Sequence, residues 1–291
     1  MKLLRTIDEL RAYREGLKGV VALVPTMGAL HEGHVAHLGA ARVVAAADHT
    51  VVSVFVNPTQ FAPNEDLDRY PRTLGDDLER CEQGGAAAVF APTPSAIYPP
   101  DTPACPVGPP PVGDDLEGAR RPTHFAGVCR VVLKLLQLVQ PQVVTFGRKD
   151  YQQLCVIRAM IDDLFVPTRI VEVPTVRESD GLAMSSRNRN LDPNARQRAL
   201  ALSKALRVAA HAVSQGETNP AVVEAAMTDT LAAHHLETDY AVVRHFRNLA
   251  PLDTLDPSQS VALIAARVTN ADGSAVRLID NLALDEDAPK G

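Results

Sequence analysis

Residues 19–38 read GVVALVPTMGALHEGHVAHL. The run ahead of Pro25 is short, apolar and rich in Val, which is how a strand buried on both faces reads. Pro25 and Gly28 then turn the chain, and from near Glu32 an Ala/Val-rich pattern over 35–47 predicts a helix. The same alternation recurs downstream. HTVVSVFV (49–56), GAAAVFAP (85–92), QVVTFG (142–147) and TRIVEVP (168–174) predict further strands, and helical patterns over 66–83, 128–139 and 151–165 fall between them. Strands and helices in alternation imply an α/β fold built on a doubly wound parallel sheet.

The character changes after Asn190. Two Ala-rich helical patterns, 193–215 and 220–235, precede the strand-like runs YAVVRHF, SVALIAARV and AVRLID. They predict a smaller C-terminal α+β domain, with the chain dividing into 1–175 and 176–291. Ten of the 22 prolines lie between Ala91 and His124, so that stretch is expected to be a long loop with one short ordered segment.

With 291 residues, 46% of them hydrophobic, the chain can fill two cores. The 29 Lys and Arg against 35 Asp and Glu give a net charge of -6, so nothing global attracts nucleic acid or an anionic membrane. The opening MKLLRTIDELRAYREGL is too charged for a signal peptide, and no run of about 20 apolar residues follows, so a cytoplasmic protein is expected. Cys81, Cys105, Cys129 and Cys155 form no CxxC pair and are expected to be reduced, mostly structural thiols.

In open parallel sheets ligands gather beyond the carboxyl ends of the strands. Three polar clusters fall there. In the first, 25–34, a helix N-terminus with His31 and His34 about 60° apart round the axis favours an anion. By itself the turn fits two hydrogen-bonded surface histidines equally well. HEGH also lacks the i, i+4 spacing of a zincin HExxH. The second, FVNPTQF (55–61), offers Asn57 and Gln60 to hydroxyl and carboxylate groups. In the third, FGRKDYQQL (146–154), Lys149 is a mobile charge for phosphate, Asp150 suits a helix cap or a hydrated metal, and Gln153 lies one turn on. A fourth segment, DGLAMSSRNRNL (180–191), joins two hydroxyls to Arg187 as a polyphosphate clamp or a solvated linker. The P-loop, GxGxxG, GxSxG and kinase signatures are missing.

Taken in order, PTMGALHEGH, FVNPTQF, RYPRTL, RPTHFAGV, FGRKDYQQL and DGLAMSSRN resemble the pantothenate synthetase (pantoate–beta-alanine ligase) family. That family belongs to the adenylyl-transferring Rossmann-like enzymes that pair a HIGH-like turn with a KMSKS-like loop. The match is dense to about Leu191 and looser to RLIDNLAL. The resemblance implies a Rossmann-like fold, ATP and Mg2+, the substrates pantoate and beta-alanine, a homodimer, and a C-terminal lid that excludes water.

It also implies roles. Met27, Gly28, Ala29, Leu30, His31, Glu32, Gly33 and His34 would form the first ATP segment, with His34 donating to the phosphates and His31 assisting. Gly147, Arg148, Lys149 and Asp150 would form the second, and Val176 would line the adenine. Met184, Ser185, Ser186 and Arg187 would close over the triphosphate. Pro25, Met27, Asn57, Gln60 and Gln153 would take the substrate. No residue is assigned as a direct metal ligand, though Asp150 is a possible one. Arg148 departs from the family's usual FGEKD and would add positive charge near the phosphates if it points inward. Cys129 and Arg130 stand where a small polar residue commonly precedes the VV pair, and Gly39 where a larger or basic one is often found. A nucleotidyltransferase without the amine step is a rival reading, and a non-catalytic nucleotide-binding regulator another.

Overall fold

Through the first part of the chain the elements run β1 (Lys2–Leu4), α1 (Ile7–Glu15), β2 (Val21–Thr26), α2 (Glu32–Val43), β3 (His49–Val54), α3 (Leu74–Gln83), β4 (Ala88–Phe90), α4 (Pro94–Ile97), α5 (Glu117–Arg120), α6 (His124–Val139), β5 (Val143–Gly147), α7 (Tyr151–Asp163) and β6 (Arg169–Val173). They belong to a computed structural model that describes residues 1–62, 67–68 and 70–285. The six strands form one parallel sheet in the order β1-β4-β3-β2-β5-β6. Strand order therefore reverses beside β2, and the crevice at the carboxyl ends of β2 and β5 is the topological switch point. This is a Rossmann-like, doubly wound sheet.

Period-two alternation explains why the strands read as continuous apolar runs. Val21 and Leu23 of β2 join one core with Leu10, Phe125, Val132, Leu154 and Ile157, while Ala22 and Val24 join a second with Leu38, Ala41, Cys81 and Val52. Helices α1, α6 and α7 thus cover one face, and α2 and α3 the other.

The chain divides into two compact units, Met1–Arg148 with Gln152–Pro174, and Lys149–Tyr151 with Thr175–Gly291. The second contains α8 (Pro193–Ala199), α9 (Ala201–Ser214), α10 (Pro220–Ala232), β7 (Glu237–His245), β8 (Ser260–Thr269) and β9 (Ala275–Ala283). The strands pair as an antiparallel sheet in chain order. Leu202, Leu206, Met227 and Leu231 from the helices share a core with Val243, Ile264 and Leu278 from the sheet.

Four expectations need correction. Strand β1, only three residues long, escapes a pattern search and is recruited by pairing with β4. Helix α3 begins at Leu74, because Thr73 is non-helical (φ -116°, ψ 47°) and Pro71 disfavours helix in the residue before it; Asp66, and Arg69 of RYPRTL, lie outside the described residues. The proline-rich stretch carries three helical turns where one was expected: α4, α5 and a 3-10 turn at Pro111–Gly113. Pro94 and Pro111 open their turns, where a missing N–H costs nothing. The single helix expected over 193–215 is two, broken at Leu200, where the Ser203 hydroxyl donates back to the Leu200 carbonyl at 3.2 Å.

Cys81, Cys129 and Cys155 are buried and Cys105 is exposed. Burial pushes the three core thiols up to about 12, 11 and 12, respectively.

Candidate active site

The loop leaving β2 is held in an unusual backbone. Gly28 (φ 84°) and Ala29 (φ 51°) both occupy the left-handed region, which an alanine adopts only under external constraint. The constraint is Asp77, on the first turn of α3 and 1% exposed. Ala29 N donates to its Oδ2 at 3.2 Å and Leu30 N to its Oδ1 at 2.8 Å. Glycine is required at 28 on two counts, because a Cβ there would also stand 2.9 Å from Asp77 Oδ2. Thr26 completes the turn, donating to the Ser53 carbonyl at 2.8 Å and accepting from Gly28 N at 3.2 Å.

Sequence reading did not single out Asp77. The only signal was an acid in a helix's first turn, which is common for dipole reasons alone. Asp77→Asn keeps the shape but turns one acceptor into a donor facing a backbone N–H. A loss of about 1.5–3 kcal/mol is expected, the range for hydrogen bonds to a charged group, and denaturant unfolding checks it.

His31 is the N-cap of α2. Its Nδ1 accepts from Gly33 N at 3.1 Å, while His34 Nδ1 accepts from His31 N at 3.2 Å, a reciprocal capping box with histidine at both positions. The rings lie 4.1 Å apart, tilted by 48°. An accepting Nδ1 carries no proton, so the network assigns both rings as Nε2–H tautomers. Both rings stand at the N-terminus of a helix that opens at the switch point. Glu32 pairs with Arg80 at 3.0 Å on the exposed side. His37, one turn further on, is committed elsewhere, its Nδ1 2.9 Å from Thr145 Oγ1 on β5.

At the end of β3 a 3-10 turn, Pro58–Gln60, is organised by Asn57, which is 1% exposed. Asn57 Nδ2 donates to Gln60 Oε1 at 3.0 Å and to the Gly127 carbonyl at 3.1 Å. Its Oδ1 accepts from Thr59 N at 3.3 Å, Thr59 Oγ1 at 2.9 Å and the Tyr98 hydroxyl at 2.8 Å. With both N–H groups and its oxygen engaged inside the protein, Asn57 orients Gln60. The consequence for Gln60 is definite. Its oxygen is occupied by Asn57, so its Nε2 donor is turned toward Met27, 3.3 Å from the sulfur, a weak acceptor.

The Gln60 carbonyl is held by His124 Nδ1 at 3.0 Å and Arg121 Nη2 at 3.4 Å, giving RPTHFAGV a structural purpose. Pro25 and Met27, at the end of β2, lie half-buried on this side. Gln153 is half-buried on α7. Its neighbour Gln152 is buried and binds the proline-rich stretch through Glu117 N (2.9 Å), the Val112 carbonyl (2.9 Å) and the Asp115 carbonyl (2.8 Å).

In the second unit, Met184 N donates to the Val176 carbonyl at 2.9 Å and Glu178 N to the Leu182 carbonyl at 2.8 Å, so 176–184 is a hairpin that sets Val176 beside Met184. Ser185 follows as the cap of a 3-10 turn, Ser186–Asn190, its Oγ accepting from Arg187 N at 3.3 Å. Glu178 accepts from Asn188 at 2.7 Å and from Arg196 at 2.6 Å. This unit also holds the Lys149 turn, where Lys149 Nζ lies 3.5 Å from Asp150 Oδ1.

A sequence profile described as pantoate-beta-alanine ligase matches residues 2–283. The chain belongs to the pantoate–beta-alanine ligase family. It is similar to the pantothenate synthetases of Salinispora arenicola, 48% identical over 97% of each chain, and Mycolicibacterium smegmatis, 50% identical over 97% of this chain and 85% of that one. Among solved structures, the pantothenate synthetase of Thermus thermophilus superposes with a TM-score of 0.89 at 42% identity over 98% of this chain and 99% of that one. The pantoate-beta-alanine ligase from Francisella tularensis, complexed with beta-gamma ATP and beta-alanine, gives 0.76 at 30% identity over 99% of each.

Within this family the departures noted in the sequence acquire partners. Arg148 Nε donates to Glu172 on β6 at 2.8 Å, and Arg158 reaches the other carboxylate oxygen at 2.5 Å. Arg148 thus shares the Glu172 carboxylate with Arg158 in an ion triad. Cys129 is fully buried core, and Gly39 has open space where a Cβ would stand. The Arg130 guanidinium carbon sits 4.8 Å over the Tyr98 ring, the residue whose hydroxyl supports Asn57.

Proposed function

We propose that the chain joins (R)-pantoate to beta-alanine at the expense of ATP, through a pantoyl adenylate. The enzyme is an AMP-forming pantoate–beta-alanine ligase. In the first step a pantoate carboxylate oxygen bonds to the α-phosphorus as the bond to pyrophosphate breaks. In the second the beta-alanine amine attacks the acyl carbon, loses a proton and expels AMP, leaving pantothenate. A carboxylate and a triphosphate repel one another, so the enzyme must neutralise charge and align the two reactants before reaction. The observation that carries the reading is the histidine capping box at the switch point. That network fixes both imidazoles in advance at the N-terminus of a helix, whose dipole favours an anion.

In this reading His34 and His31 donate to the phosphates along the 27–34 segment, and Lys149, with Gly147 and Asp150, forms the second nucleotide segment. Arg148 belongs to the same segment and is paired with Glu172. Val176 and Met184, paired across the hairpin, border the adenine, and Ser185, Ser186 and Arg187 bind the triphosphate. The second unit serves as the lid that shields the adenylate from water. Gln60 binds pantoate through its Nε2 donor, Gln153 assists, and Asn57 positions Gln60. The bound state named for the Francisella tularensis enzyme supports ATP and beta-alanine as ligands here. Mg2+ arrives on the phosphates of ATP, where the Asp150 carboxylate is available to it as a hard-oxygen donor. A cytoplasmic homodimer is part of the same reading and rests on the family resemblance. No helix among the described residues is long and apolar enough to cross a membrane.

The test is pyrophosphate–ATP exchange with Mg2+, with and without pantoate and without beta-alanine. Pantoate-dependent exchange is expected, followed by AMP release on adding beta-alanine; ATP binding without exchange would sink the proposal. A second expectation concerns Gln60→Ala, which removes one directed donor and should raise the KM for pantoate on the order of tenfold, the cost of about 1.4 kcal/mol, with the KM for ATP unchanged. Equal rises in both would contradict the assignment.

A further inference from the structure

Strand β9 carries Asp280 and Asn281, exposed by only 2% and 6%, and neither belongs to a nucleotide segment read from the sequence. A buried carboxylate persists when it is paired and hydrogen-bonded, and Asp280 is both. Arg177 Nη1 donates to its Oδ2 at 2.7 Å and Nη2 to its Oδ1 at 3.0 Å, a two-pronged fork, and Asn281 N adds a third bond at 2.8 Å. The same guanidinium donates to the Gly181 carbonyl at 3.1 Å, spanning the 176–184 hairpin that leads into the serines. The next residue makes the second attachment, Asn281 Nδ2 donating to the Lys149 carbonyl at 2.8 Å. Two residues further along that turn, the Tyr151 hydroxyl donates to the Phe246 carbonyl at 3.1 Å. Consecutive residues of one strand therefore hold the lysine turn and the stem of the serine hairpin.

We propose that Asp280 and Asn281 are positioning residues for ATP, fixing the Lys149 peptide and the 176–187 segment at one spacing so that both engage the same triphosphate. This rests on the reading that Lys149 and residues 184–187 bind the nucleotide. A lysine ammonium ends a flexible four-carbon stem, so its reach is set by where its backbone is anchored. A carbonyl pinned by a directed N–H fixes the plane of the Lys149–Asp150 peptide, and alignment errors near 1 Å cost up to about 10²-fold in rate.

Steady-state kinetics of the full-length Asn281→Ala, Asn281→Asp and Lys149→Ala enzymes test it. Asn281→Ala is expected to raise the KM for ATP on the order of tenfold while leaving the KM for pantoate within about twofold and the unfolding midpoint near wild type. Asn281→Asp matches the native shape but points an acceptor at the Lys149 carbonyl, and is expected to do at least as badly. The proposal is overturned if Lys149→Ala is impaired while Asn281→Ala uses ATP normally, if both KM values rise together, or if only the aspartate variant suffers, which would mark charge repulsion. Lys149→Ala with wild-type ATP use removes the nucleotide reading itself, and the proposal with it. If the Asn281 variants do not fold, hydrogen exchange of the wild-type enzyme decides. Amides of 149–151 and of 176–184 should gain protection together on adding a non-hydrolysable ATP analogue, and protection of one without the other overturns the proposal.

Discussion

His34→Ala is expected to slow adenylate formation in a single turnover on the order of 10²-fold or more, the usual cost of deleting a preorganised donor to developing charge, equivalent to about 2.7 kcal/mol. The alanine variant alone confounds two losses, because His34 also caps: its Nδ1 accepts from His31 N at 3.2 Å. Two further variants separate them. Asparagine places an oxygen near the Nδ1 position and nothing at Nε2, so His34→Asn should keep the cap and the stability yet remain slow. Glutamine reaches the Nε2 position and gives up the Nδ1 acceptor, so His34→Gln should recover part of the rate while losing up to about 1 kcal/mol of helix stability. If the asparagine variant turns over like wild type, the Nε2–H donor has no part in the chemistry.

Gly127→Ala is expected to damage the pantoate side of the site more than any single truncation within it. A Cβ at 127 would lie 2.3 Å from the Thr59 carbonyl oxygen, 2.5 Å from its carbon and 2.6 Å from Gln60 Cα. All three are backbone atoms, so no rotamer change relieves the clash, and α6 must separate from the 58–60 turn. Overpacking of this kind costs typically about 1–3 kcal/mol or more. The same displacement pulls the Gly127 carbonyl from Asn57, which then no longer fixes the Gln60 amide. A fall of several degrees in the unfolding midpoint is expected, together with a rise on the order of tenfold or more in the KM for pantoate at an unchanged KM for ATP. Wild-type values of both the midpoint and the pantoate KM would show that α6 does not rest on Gln60 as described.

Much was legible in the order of residues alone. Val-rich runs bounded by glycine and proline gave five of the six strands in the parallel sheet, because strands buried on both faces have nowhere to place polar side chains. The motifs marked where those strands end, and hence where the polar clusters stand. Histidine spacing suggested a paired site, and the family resemblance told which chemistry to expect. Local pattern failed where long-range contacts decide. The three-residue β1 exists because β4 offers it an edge, and the partners of Asn57 at Gly127 and Tyr98 lie far along the chain from it. Asp77, Gln152 and Asp280 looked like ordinary polar residues, since a buried polar group is known only by what surrounds it. Arg148 reads as a charge near phosphates and folds into a pair with Glu172, 24 residues away. Sequence by itself thus determined the sheet and the residue types at the strand ends, which follow from periodicity and composition along the chain, while the family came from the resemblance of its ordered motifs. The tertiary structure decided how Ala29 and Leu30 are held, which way Gln60 faces and what holds the lysine turn, because those depend on hydrogen-bond partners brought together from distant parts of the chain.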